Sequence, residues 1–249
     1  TLFAVDAGGG PPKLAGSLSL GAAGYGAQLL LRGRRLIVVS GGFPSPIAIG
    51  APVPRAGSGV ALHPYWYGGQ TIITEVDVSD SAAMKVTRTM TVDGTFVDAR
   101  QTGSSARLVI SSQPRAIVYA GARGQAGGWV PVRRFHSLIT GRRYTGPLAP
   151  GRGNRRPVVF SGLGMLTILT IDLDRGLYAT DTATTMADAR VVYGSQNSLY
   201  VATQKWIDPR TPVDKLPQSQ STVIDKFDVT DPLHTTLVAS GEVPGYVLN

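Results

Sequence analysis

The sequence has no cysteine and only five lysines against nineteen arginines. The first absence excludes disulfides, thiolate metal sites and a cysteine nucleophile. It leaves the compartment open, because a chain of this size does not need disulfides to fold. Aromatic residues make up 7% and charged residues 16%, while 43% hydrophobic residues supply ample core material, which excludes a disordered polyelectrolyte. No apolar run approaches the roughly 20 residues a membrane-crossing helix needs; the longest is Leu163 to Ile171. At Thr1 there is no initiator Met, basic start or apolar signal core, so the chain reads as a processed or excised segment. Helical periodicity is absent or weak throughout, with Thr184 to Arg190 the one ambiguous stretch.

What is present is alternation of period two, and it repeats. Four segments share an apolar strand ending in Asp: Leu2 to Asp6, Ile73 to Asp80, Ile168 to Asp174 and Ile224 to Asp231. Each is followed by a second strand, at Leu14 to Leu20, Val86 to Val92, Tyr178 to Thr184 and Thr235 to Ser240. A third follows at Ala27 to Leu31, Phe96 to Arg100, Ala189 to Tyr193 and Tyr246 to Leu248. A closing strand comes last, at Arg35 to Ser40, Arg107 to Ser111 and Leu199 to Thr203. Short turns such as Arg32-Gly33-Arg34 and Thr102-Gly103-Ser104 separate them, as tight hairpins require. The unit is a four-stranded antiparallel meander, and the chain is all-β.

The copies are spaced unevenly because extra sequence enters at one equivalent place, between a closing strand and the next Asp-ending strand. These insertions span 41–69, 113–162 and 206–221. Several stretches carry a resemblance: Thr71 to Asp80, Phe160 to Thr167, Leu199 to Gln204 and Ser240 to Asn249. They are similar to the secreted bacterial β-propeller family distantly related to WD40 repeats. The resemblance implies a propeller of four-stranded blades at the cell surface or secreted, and it implies no established activity. The family's members are longer. On that phase the chain holds one propeller segment, with blade-like units at approximately 27–92, 95–184 and 188–242 and partial blades at 1–20 and 245–249. Three complete blades form an open arc, since closed propellers need four to eight. This predicts association with remaining blades of the same protein or with itself.

All three insertions should emerge on one face of such a propeller, and long loops on one face of a repeat architecture commonly bind partners. No acidic residue lies between Asp98 and Asp172, whereas eleven arginines do. The insertion 113–162 holds Arg133, Arg134, Arg142, Arg143, Arg155 and Arg156 with Trp129. Guanidinium groups grip carboxylate and phosphate in pairs of hydrogen bonds and stack on aromatic rings. The plainer reading is solvated loop charge. Insertion 41–69 carries Tyr65, Trp66 and Tyr67, which either stack on a ligand or anchor their own loop. The repeated aspartates suit hairpin turns better than a calcium cage, because no contiguous loop supplies six to eight oxygens.

Catalytic and metal patterns are poor. His63, His136 and His234 share no ligand spacing, and no Gly-x-Ser-x-Gly elbow occurs. Gly8-Gly9-Gly10 leads into Pro11-Pro12 instead of a phosphate-binding helix. No metal and no cofactor is expected. The leading expectation is a non-catalytic extracellular binding or scaffold propeller engaging an acidic protein or anionic polysaccharide; nucleic acid is disfavoured by scarce lysine and missing motifs. The alternatives are a secreted hydrolase or lyase with its site at the channel mouth, and a purely structural surface protein.

Overall fold

A computed structural model describes residues 1–21, 24–42, 69–113, 130–148, 154–155, 164–187, 190–205, 207, 212–215, 217 and 220–247. Its regular structure is almost wholly β. The first sheet is the pair β1 (Leu2–Asp6) and β2 (Lys13–Leu18). The second is built on β3 (Gly24–Arg32), β4 (Arg35–Gly42), β5 (Gln70–Asp77) and β6 (Lys85–Asp93), paired antiparallel in that order. The third repeats the meander with β7 (Thr95–Thr102), β8 (Ser105–Ser112), β12 (Met165–Asp172) and β13 (Ala179–Met186). The fourth has β14 (Val191–Gly194), β15 (Ser198–Gln204), β16 (Ser221–Asp228) and β17 (Thr236–Pro244). These sheets follow the order expected from the repeat, and the ambiguous Thr184 lies within strand β13.

Alternation along the strands explains how the sheets stack. On β4, Leu36 and Val38 join Leu2, Val76 and Met84 in a core with the first sheet, while Ile37 and Val39 face the third sheet with Leu108, Ile110, Leu169 and Ile171. On β12, Leu166 and Ile168 turn the other way, onto Leu199, Val201 and Phe227 of the fourth sheet. Strands buried on both faces read as near-continuous apolar runs, as in Leu36-Ile37-Val38-Val39. Close approach also fixes Gly16 on β2: a Cβ there would stand 2.0 Å from the Ser81 carbonyl oxygen in the turn after β5. The outward faces of the first and last sheets stay uncovered by described residues, leaving Phe3 61% and Tyr193 65% exposed.

Two expectations need correction. The insertion 113–162 is not only a loop: β9 (Val132–Ser137) and β10 (Arg143–Pro147) form a hairpin that joins the outer edge of β6, making the second sheet six-stranded. A short strand, β11 (Asn154–Arg155), adds in parallel to β13. The physical reason is the unpaired N–H and C=O row that an outer strand presents, which the inserted segment satisfies. The strand expected at Tyr246 to Leu248 does not form over Tyr246 and Val247, which follow Gly245 at φ 95°; Leu248 lies outside the described residues.

Candidate functional site: an arginine hairpin beside an inter-sheet cleft

Strand direction divides the molecule into two faces. The β3–β4, β5–β6, β7–β8, β12–β13 and β16–β17 turns lie on one; the three long connections leave from the other. Asp77, Asp80, Asp172, Asp228 and Asp231 each accept an N–H within their own turns, whereas Asp174 accepts from Arg32 of the β3–β4 turn. Asp77 accepts the Ser79 N–H at 2.9 Å, Asp172 the Asp174 N–H at 3.0 Å, Asp228 the Thr230 N–H at 2.9 Å and Asp231 the Leu233 N–H at 2.8 Å. Such bonds fix the turn and favour the ionised form. The Ser79 N–H holds the Asp77 carboxyl below its ordinary range, and the Thr230 hydroxyl and N–H do the same for Asp228.

The arginine hairpin crosses from one face towards the other. Arg133 lies opposite Val92, at the end of β6 nearest the long connections, and Ser137 opposite Arg88, at the turn end. Arg142 and Arg143 therefore stand at the turn-face end, contrary to the expectation that the whole arginine set would crown the insertion-bearing face. Phe135 points inward and packs on the core shared with the third sheet, its ring 5.5 Å from that of Tyr178. Two arginines are engaged locally. The Arg133 guanidinium lies 5.0 Å from the Tyr144 ring centroid, and Arg134 donates to Asp93 at 2.8 Å. Arg142 and Arg143 are exposed, and their guanidinium groups have no partner among the described residues. Arg143 sits directly across from His136, with Arg134 on the same outward face by alternation. Arg155 is in β11; Arg156, Tyr65, Trp66, Tyr67, Trp129 and His63 lie outside the described residues.

A second cluster lies between the second and third sheets. Glu75 on β5, 3% exposed, accepts the Thr87 hydroxyl at 2.7 Å and the Leu177 N–H at 2.5 Å, and also pairs with Arg88 and, at 3.4 Å, with Arg35. Arg35 also reaches across to the carbonyls of Leu173 and Asp174 in the β12–β13 turn. Arg88 lies 5.0 Å from the Tyr178 ring centroid. Gly176 is required in that turn: its φ is 94°, and a Cβ would stand 2.7 Å from Glu75 Oε2. Above this network opens a cleft of about 450 Å³ lined by Arg32, Arg34, Arg35, Arg88, Asp77 and Asp174 among others. Only the turn Arg32-Gly33-Arg34 hinted at it in the sequence.

A family model described as Beta propeller domain matches residues 2–249. The chain belongs to that family. Comparison with curated proteins and with solved structures gives no match. The hairpin extends the second sheet beyond β6, so its arginines stand at this rim, at the edge opposite β3. His136 belongs to the second sheet, and His234, its Nδ1 3.0 Å from Asp231, belongs to a turn of the fourth. Among the described residues no group of three or more His, Cys, Asp or Glu is placed to hold a metal ion, and no helix is long and apolar enough to cross a membrane.

Proposed function

We propose that this propeller is a non-catalytic binding or scaffold module acting outside the cell, and that it engages an anionic partner, a polysaccharide or an acidic protein surface, through the rim hairpin. The observation that carries the reading is the pair Arg142 and Arg143, exposed and unpartnered among the described residues, on a hairpin whose other arginines are occupied in holding it in place. An exposed guanidinium keeps all its donors for a carboxylate, sulfate or phosphate. The extracellular placement rests on the family resemblance of the repeat. The uncovered apolar residues Phe3, Val5, Leu14 and Tyr193 favour further sheets, from the same protein or a second copy, against the first and last sheets.

Retention on immobilised heparin, as a sulfated probe, tests the reading. R142A/R143A should elute at clearly lower salt than the parent chain, because screening acts on exposed charges first. Equal elution of the two proteins removes the hairpin from the account.

A further inference from the structure

The cleft on the turn face is a different place with different chemistry. Four guanidinium groups line it against three carboxylates, Glu75, Asp77 and Asp174. Each carboxylate is already engaged. Glu75 lies at the base under Arg35, Arg88, Thr87 and the Leu177 N–H; Asp174 takes Arg32 through two bonds of 2.9 and 3.2 Å; Asp77 accepts its own turn at Ser79. A cation entering here would find no spare carboxylate among the described residues lining the cleft.

Donors, by contrast, remain. Among the described residues, Arg32 uses Nε and Nη2 on Asp174, leaving Nη1; Arg35 uses Nη1 and Nε, leaving Nη2; Arg88 spends Nη1 on Glu75, leaving Nη2. Arg34, at the mouth, has no hydrogen bond or ion pair from its guanidinium among the described residues. Val76 and Ile139 supply little apolar wall for an uncharged ring. The volume is that of a small-molecule site. We propose that this inter-sheet cleft binds a small oxyanion, a carboxylate or phosphate, held by Arg34 at the mouth and by the spare donors of Arg32, Arg35 and Arg88 within. Because its walls come from the β3–β4 turn, β5, β6, the β9–β10 turn and the β12–β13 turn, the bound anion bridges the second and third sheets. The rim hairpin contributes only the apolar Ile139 to the cleft, so the cleft's donors are separate from Arg142 and Arg143.

Titration calorimetry of the full chain with inorganic phosphate and, separately, with citrate tests it. At least one should bind, and R34A should weaken that binding roughly tenfold, the scale of one charge-assisted contact. Arg34 is exposed and makes no side-chain bond, so its removal spares the fold; an unchanged melting temperature without ligand checks this. R142A/R143A should leave the binding as it was. Phosphate alone binding identifies a phosphate site, citrate alone a carboxylate site, and both a general oxyanion site. The proposal is overturned if neither binds, if R34A binds as tightly as the parent, or if the binding is lost in R142A/R143A instead.

Discussion

Two junctions between neighbouring sheets solve one problem in different ways. At each, an arginine on the second strand of a sheet reaches the carbonyl oxygens of the next sheet's third-to-fourth strand turn. Between the third and fourth sheets this is Arg107, 3% exposed, donating to Thr235 Oγ1, Val229 O and Asp231 O at 3.1, 3.1 and 2.6 Å. No carboxylate among the described residues forms an ion pair with it, and burial lowers its pKa against the pull of Asp231 and Asp181. Between the second and third sheets the arginine is Arg35, which shares the buried Glu75 with Arg88 beneath an open cleft. Arg35 pairs across from Asp77, whereas Ser105 holds the corresponding place opposite Asp172 and Arg107 follows two residues later on the same side of β8. A displacement of two residues separates a sealed staple from one that leaves donors facing water.

The largest effect is expected at the sealed junction. Arg107→Ala removes donors from buried carbonyls and leaves a cavity, and should cost about 3 kcal/mol in denaturant unfolding. A loss below about 1 kcal/mol would mean the staple is not what joins these sheets. At the open side, Glu75→Ala strands two arginines and the Leu177 N–H, and the expected loss is also about 3 kcal/mol. Glu75→Gln keeps a neutral acceptor and should lose less.

Gly176→Ala sharpens the contrast, because the new Cβ collides with Glu75 Oε2 and Arg88 Nη1 at a positive φ. It should cost about 1–2 kcal/mol, and the melting temperature should fall accordingly. Gly141→Ala, also at positive φ but with open space around it, reports the backbone cost alone.

Much of the fold was legible in the sequence because its determinants are local. Asp-ending strands, tight turns and both-face apolar runs each announce themselves within ten residues. The rim hairpin was not legible, since Val132–Ser137 alternates weakly and its partner β6 lies some forty residues upstream. Phe135 and Tyr144 flanking Gly141 were the available signal, an aromatic pair across a turn. The cleft was less legible still. Arg35, Glu75, Arg88 and Gly176 are distant in the chain, and only the stacking of two sheets brings them together. Arg133 and Arg134 looked identical to Arg142 and Arg143 in the sequence; Tyr144 and Asp93 distinguish them only in the fold.

Asp225 offers a subtler test within the sealed junction. It is 1% exposed, its Oδ2 has no partner among the described residues, and Ser240 bonds Oδ1 at 2.5 Å. Burial raises its pKa, with the Ser240 bond opposing. The folded chain therefore holds this proton more tightly than the unfolded one. The associated stability is complete below the ordinary carboxyl pKa of about 4 and is lost as pH rises through the folded value. Thermal unfolding of Asp225→Asn across that window should show a flatter pH profile than the parent. The depressed carboxylates Asp174, held down by the Arg32 hydrogen bond, and Glu242, by that of Lys205, act in the opposite sense: their stability is lost as pH falls below about 4. The two windows do not overlap. The smallest effect belongs to Arg32→Ala, whose exposed ion pair with Asp174 should lower stability at neutral pH only slightly.

The claim that matters most is that the exposed rim arginines, and not those holding the hairpin in place, bind the anionic partner. Heparin binding as a function of salt measures it most directly, with R142A/R143A compared against R134A. The account predicts weaker binding and a shallower salt dependence for R142A/R143A, with R134A close to the parent. Identical salt profiles for the parent and R142A/R143A, or a larger loss in R134A, would contradict it.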